Sequence, residues 1–164
     1  MRTCLREAAT AALILTVMAT TVPCHAKVFM TQQEALKVVF STDAEVKAST
    51  AYLTGEQATE VEKASGEPLP TMVITRYRGT TVSGGPATAY FDTHLVRTMP
   101  ETLMIVVTEG GAIARIDVLS FDEPREYLPR PGWVDQLKGR ALDEDLSIRR
   151  GIRPISGATL SARA

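Results

Sequence analysis

Near its C-terminal end the chain runs Arg153-Pro154-Ile155-Ser156-Gly157-Ala158-Thr159-Leu160-Ser161, a small, hydroxyl-rich stretch that reads as the opening of a helix. With Ser156 at or near the N-cap, Gly157, Ala158 and Thr159 fall in the first turn, where backbone N–H groups lack intrahelical acceptors and the macrodipole favours an anion. Such a turn can hold a phosphate without any lysine. Four small residues at a helix start also fit an ordinary capped turn, so the surrounding sequence has to decide between the two.

Other chemistry-bearing residues are sparse. His94, with Asp92 and Arg97 nearby, invites a catalytic reading, but a hydrolytic triad also needs a nucleophile on a defined elbow, and no G-x-S-x-G frame exists. The alternative is that His94 and Arg97 orient a loop or a sheet edge. Trp133 is the single tryptophan and serves either as an anchor for a core or loop or as a stacking surface. Asp122-Glu123 and Asp143-Glu144-Asp145 read as solvated charge clusters or helix starts; no metal site is expected from them. Ser83-Gly84-Gly85-Pro86 lacks the spacing of a nucleotide-binding glycine loop, which argues against a self-sufficient nicotinamide enzyme.

The string Ser156-Gly157-Ala158-Thr159 resembles the Ser/Thr-Gly-Ala-Thr motif of the FMN-binding domain family. That family includes the C subunit of sodium-translocating NADH:quinone reductase and the G subunit of the Rnf complex, in which FMN is esterified through its phosphate to the motif threonine. The segments Tyr90 to Thr102, Val118 to Tyr127, and Trp133 to Gly139 followed by Leu142 resemble small exported members in the same order, so the likeness spans roughly the second half of the chain. The resemblance implies an ester to Thr159, a phosphate cradled by Ser156, Gly157 and Ala158 with Leu160 beside them, and a hydrogen bond from Ser161. It also brings His94 and Trp133 into consideration as flavin contacts. Glu123, followed by Pro124, stands where longer members carry a Glu-Thr-Pro-Gly loop near the flavin, though the threonine and glycine are absent here. Arg153 stands where many members have an aspartate, and pairing with the FMN phosphate is the reading favoured for it.

What the resemblance implies about function is an exported electron-transfer flavoprotein. A threonine hydroxyl is a poor nucleophile without a base, and none is visible beside Thr159; attachment then needs a separate flavin transferase using FAD and a divalent metal. Membrane-linked redox proteins would be the electron donor or acceptor. Two alternatives remain open: a binding or assembly module that holds FMN noncovalently or not at all, and a reductase acting on a small acceptor.

The elements that must position these residues read as α+β, an antiparallel sheet with short helices packed against it, as the FMN-binding domain would have. Thr31-Gln32-Gln33-Glu34 and Thr54-Gly55-Glu56-Gln57 are capping boxes, followed at helical spacing by Ala35, Leu36, Val39 and Phe40 and by Ala58, Val61 and Ala64, with Gly66 as a stop. Both helices are expected on one sheet face. Strands are expected at Thr71 to Arg78, Ala87 to Phe91, Leu103 to Thr108 and Ala112 to Phe121, with turns at Ser83 to Pro86 and at Glu109-Gly110-Gly111.

The amino terminus sets the expected compartment. Arg2 and Arg6 precede an uncharged run from Ala8 to Val22, and Cys24-His25-Ala26 offers small residues for a cut, the pattern of a secretory signal peptide over residues 1–26. A single domain over 27–164 is expected to follow, with either its family C-terminal helix truncated or its site less firmly held than in relatives. Removing Arg2, Arg6 and Glu7 from 18 basic and 19 acidic side chains leaves 16 and 18, a balance that offers no basic field for nucleic acid. Cys4 and Cys24 both fall in the leader, so the exported part is expected to form neither disulfide nor thiolate chemistry.

Overall fold

The computed structural model describes residues 27–146 and 150–155; the expected leader and the Ser156 to Ser161 motif lie outside the described residues. Among the described residues no helix is long and apolar enough to cross a membrane. The chain runs β1 (Lys27–Val28), α1 (Gln32–Val39), β2 (Lys47–Tyr52), α2 (Gly55–Ser65), β3 (Val73–Thr80), β4 (Pro86–Leu95), β5 (Pro100–Thr108) and β6 (Ile113–Phe121), followed by a short α3 (Pro131–Val134) and single 3-10 turns. The six strands form one antiparallel sheet in the order β1-β6-β5-β4-β3-β2. The general α+β expectation is met.

Both capping boxes form. Thr31 accepts from the Glu34 backbone while the Glu34 carboxylate accepts from the Thr31 N–H at 2.8 Å, and Thr54 and Gln57 make the same exchange. Two otherwise unpaired donors are satisfied at each helix start. Gly66 closes α2 at φ 76°.

The two helices differ in what they cover. α1 buries Ala35 and Val39 against Ala87, Ala89, Met104, Val106 and Leu119, with Phe40 just beyond its end. Phe40 lies over β3 because residue 79 is glycine: a Cβ there would come within 2.9 Å of the ring. The core is therefore one face of β3 to β6 under a single helix. α2 buries none of its residues, so the expectation that both helices cover the sheet holds for α1 alone. Its stripe of two alanines and one valine offers too little apolar area for firm packing.

Sheet positions also depart from the expected spans. β4 and β5 are longer than expected, extending through Leu95 and starting at Pro100, because residues 92–95 and 100–103 pair in register across their connection. β2 has no apolar alternation to announce it; Lys-Ala-Ser-Thr-Ala-Tyr lies at the sheet margin, mostly exposed, held by its ladder to β3. These extra residues at the β4–β5 end carry the polar cluster described next.

Candidate functional site

The approach to the hydroxyl motif is built by the short elements after β6. Pro131 opens α3, consistent with its fixed φ and missing donor, and α3 runs into the 3-10 turn Asp135–Leu137. This places Trp133 and Gln136 side by side against the returning chain. Trp133 Nε1 donates to the Arg153 carbonyl, and the Arg153 N–H donates to Gln136 Oε1 at 2.9 Å. The peptide of Arg153 is thus held on both sides.

Ile152, 3 % exposed, anchors the preceding residue, and Arg140 Nη2 donates to the Gly151 carbonyl at 2.7 Å. A side chain at Gly151 would collide with the Asp145 carbonyl, so the close turn there requires glycine. Gly132, Trp133, Gln136, Arg140, Gly151 and Arg153 line an open recess of about 400 Å³. Two arginines, a glutamine and a tryptophan are thus among the residues around one space, three residues upstream of Ser156. That set suits an anion such as a phosphate. Trp133 holds the Arg153 backbone through its N–H.

A second polar group sits at the other end of the sheet. His94 on β4 and Glu101 on β5 are direct cross-strand partners, and Asp92 lies two residues back on the same face. His94 Nδ1 is 2.7 Å from Asp92 Oδ2, and its Nε2 makes a close ionic contact of 3.4 Å with Glu101 Oε2. Glu101 is 1 % exposed. The Asp92 hydrogen bond first, and the Glu101 contact second, raise the His94 pKa to about 9, against the opposing effect of burial. The same Asp92–His94 bond lowers the Asp92 pKa. His94 therefore acts as a cationic clip between two acidic side chains on adjacent strands. Among the described residues no three His, Cys, Asp or Glu side chains are grouped to hold a metal ion.

This clip makes stability depend on pH. Because the folded-state pKa lies above the ordinary 6.5, the stabilisation is fully present below pH 6.5, declines as pH rises and is gone above about 9. The expected loss is of order 2 kcal/mol after allowance for partial exposure. Denaturant midpoints measured from pH 6 to 10 should fall across that window in the wild type, and His94→Gln should remove the fall. An unchanged slope in the variant would refute the clip.

Glu123 serves the neighbouring turn. Its Oε1 accepts from the N–H groups of Thr98 and Met99 at 2.7 and 3.0 Å and from the Thr98 hydroxyl at 3.2 Å. These bonds, the Thr98 backbone bond foremost, lower its pKa, and they commit the carboxylate to the β4–β5 connection. Arg97 stacks over Tyr127, 4.7 Å from the ring centroid. His94 and Glu123 thus belong to the β4–β5 end, while Trp133 and Arg153 meet at the recess.

Ser156, Gly157, Ala158, Thr159, Leu160 and Ser161 lie outside the described residues. Sequence reasoning did not single out Glu101; its signal is the cross-strand register with His94, which requires the β4–β5 turn to be placed first. Gln136 and Arg140 were likewise missed, since their partners are main-chain groups 17 and 11 residues away.

Compared with protein-family models, with curated proteins and with solved structures, the chain matches none.

Proposed function

We propose that this chain is an exported flavoprotein that carries FMN esterified through its phosphate to Thr159 and relays electrons between membrane-linked partners. The observation that carries the reading is the double hydrogen-bonded clamp on the Arg153 peptide, beside a recess lined by Arg140 and Arg153, immediately before the Ser156-Gly157-Ala158-Thr159 motif. The residues fit the phosphate end of the cofactor. Arg153 and Arg140 supply positive charge, and the clamp fixes the backbone at Arg153.

FMN, when bound, supplies the redox chemistry. The chain's own work is attachment and presentation. The Thr159 hydroxyl oxygen forms the new bond to the flavin-side phosphorus of FAD; the bond between the two phosphates breaks, AMP leaves and the hydroxyl proton is released. A transferase with a bound divalent metal has to activate that hydroxyl. By the motif resemblance, Ser156, Gly157 and Ala158 are the residues that would cradle the phosphate. An ester also keeps the cofactor on an exported protein that could not recover it after dilution.

The carrier role has its own test. Flavinylated protein should be reduced promptly by dithionite yet oxidise NADH negligibly, since the sequence holds no nicotinamide fingerprint. Rapid NADH oxidation by the protein freed of contaminating reductases would promote the small-acceptor reductase reading instead.

A further inference from the structure

The sheet ends on β2, and the hydrogen bonds around it fix which of its backbone groups face outward. The Leu53 N–H donates to the Met72 carbonyl at 2.8 Å, and the register runs unbroken from there to Lys47 opposite Arg78. Bonded pairs alternate along an antiparallel ladder, so Ala51, Ser49 and Lys47 bond to β3. On the far side of β3 the Thr81 N–H donates to the Gly85 carbonyl, which turns Gly79 and Tyr77 toward β4 and leaves Arg78, Arg76 and Ile74 for β2, as the same alternation requires. Ala48, Thr50 and Tyr52 therefore point their N–H and C=O groups away from the sheet. Among the described residues no backbone group meets them.

Such an edge is usually blunted by proline, by a bulge or by charges along its length. This one has neither of the first two, and its single charge is Lys47 at the start. Its side chains are small apart from Tyr52, which is 76 % exposed; the cross-strand neighbour Val73 and the adjoining Met72 are exposed as well. The next element, α2, buries none of its residues, and a helix of 11 residues is marginal in water when nothing supports it. An unpaired edge and an unsupported helix thus follow one another at one margin of the molecule.

We propose that β2 pairs antiparallel with β2 of a second copy of this chain, across a two-fold axis at Thr50. The edge itself selects this register. Centring on Thr50 sets the three outward-facing residues of each copy against those of the other, Ala48 opposite Tyr52 and Thr50 opposite Thr50, with both copies keeping the same sheet face. About six main-chain hydrogen bonds form, and no outward group of the strand is left over. The side chains agree: the Tyr52 ring meets an alanine, Ser49 meets Ala51 at the narrower non-bonded position, and two threonines make a favourable pair at the axis.

Charge agrees too. The two Lys47 side chains stand at opposite ends of the joined strands, roughly 20 Å apart. Each lies opposite Leu53 of the other copy, next to the start of an α2 that carries Glu56, Glu60 and Glu62 against a single Lys63. On the same face as Lys47 stand Arg78 and Arg76, so a basic corner of each copy meets the acidic helix of the other. Within its own chain Lys47 has only the exposed Glu45, at 3.3 Å, a weak pair. A strand pair of this length alone buries less than the roughly 1,200 Å² of a standard interface, so the α2 contacts set its strength. The dimer is accordingly expected at micromolar concentrations.

Sedimentation of the chain purified from its export route, over about 1 to about 500 µM, tests this. The mass should rise from one copy toward two. Thr50→Pro deletes both bonds at the axis while leaving the β3 ladder intact, and should weaken association about tenfold or more. Thr50→Lys sets two ammonium groups against each other there and should weaken it several-fold, with the denaturation curve of each dilute variant showing that it folds. Hydrogen exchange reads the register: the Ala48, Thr50 and Tyr52 amides should slow several-fold on concentrating the wild type, while those of Ser49 and Ala51 stay protected throughout. A single-copy mass at every concentration overturns the proposal. A dimer untouched by both Thr50 variants, or outward amides already protected in dilute solution, overturns it as well, because the contact then lies elsewhere or the chain covers its own edge. None of these results bears on the flavin reading, which makes no use of β2.

Discussion

Thr159→Ala protein, exported alongside the transferase, should be colourless after denaturing precipitation, whereas the wild type stays yellow. The expected change is all or none, because in the proposed ester the hydroxyl oxygen is the only atom joining cofactor to chain and noncovalent flavin is released on denaturation. The fold should survive, since loss of a single hydroxyl is worth about 1 kcal/mol. Measuring visible absorbance of the washed precipitate beside the denaturation curve of the native protein separates loss of attachment from loss of structure. A yellow precipitate from the variant would place the ester elsewhere or remove it from the account.

Phe40→Ala should cost about 3–5 kcal/mol, the largest stability change expected of a single substitution here. The ring is 1 % exposed and lies against Gly79 and the α1 face of the sheet. Neighbours on paired strands cannot collapse into the space without breaking the β3–β4 register, so most of the cavity should remain. Urea denaturation should show a lowered midpoint at an unchanged slope. A change below about 1 kcal/mol would mean that the single-helix core is not what holds the sheet.

Parts of this fold are plain in the sequence because they depend on neighbours a few residues apart. Thr31 with Glu34 and Thr54 with Gln57 are reciprocal pairs three residues apart, and both form. The Glu109-Gly110-Gly111 and Ser83-Gly84-Gly85-Pro86 turns fall between strands as read, with Gly84, Gly85 and Gly111 at positive φ. β2 could not be read, because at the sheet margin its six residues bury little and carry no period-two pattern. α2 has a proper helical signal yet covers nothing, since capping fixes where a helix begins and only apolar area fixes what it packs on.

The candidate site divides the same way. Trp133 stands out by residue type and Arg153 by its place before the hydroxyl motif, but that they meet through a main-chain carbonyl depends on a return of 20 residues that no local pattern encodes. Glu123 stands out by its correspondence to a family loop, and that its carboxylate holds the N–H groups of Thr98 and Met99, on a turn 25 and 24 residues upstream, is not written in that correspondence. Glu101 had no signal until β4 and β5 were in register. Long-range polar contacts of this kind are specified by topology, and topology emerges only once the strands are paired.

The central claim is the covalent flavin, and the most direct measurement is the intact mass of the wild-type chain purified from its export route, followed by mapping of the modified peptide. The account predicts a mass raised by one FMN less one water, with the adduct on the peptide containing Thr159. An unmodified mass from a host shown to flavinylate another substrate, or an adduct on any peptide lacking Thr159, would contradict it.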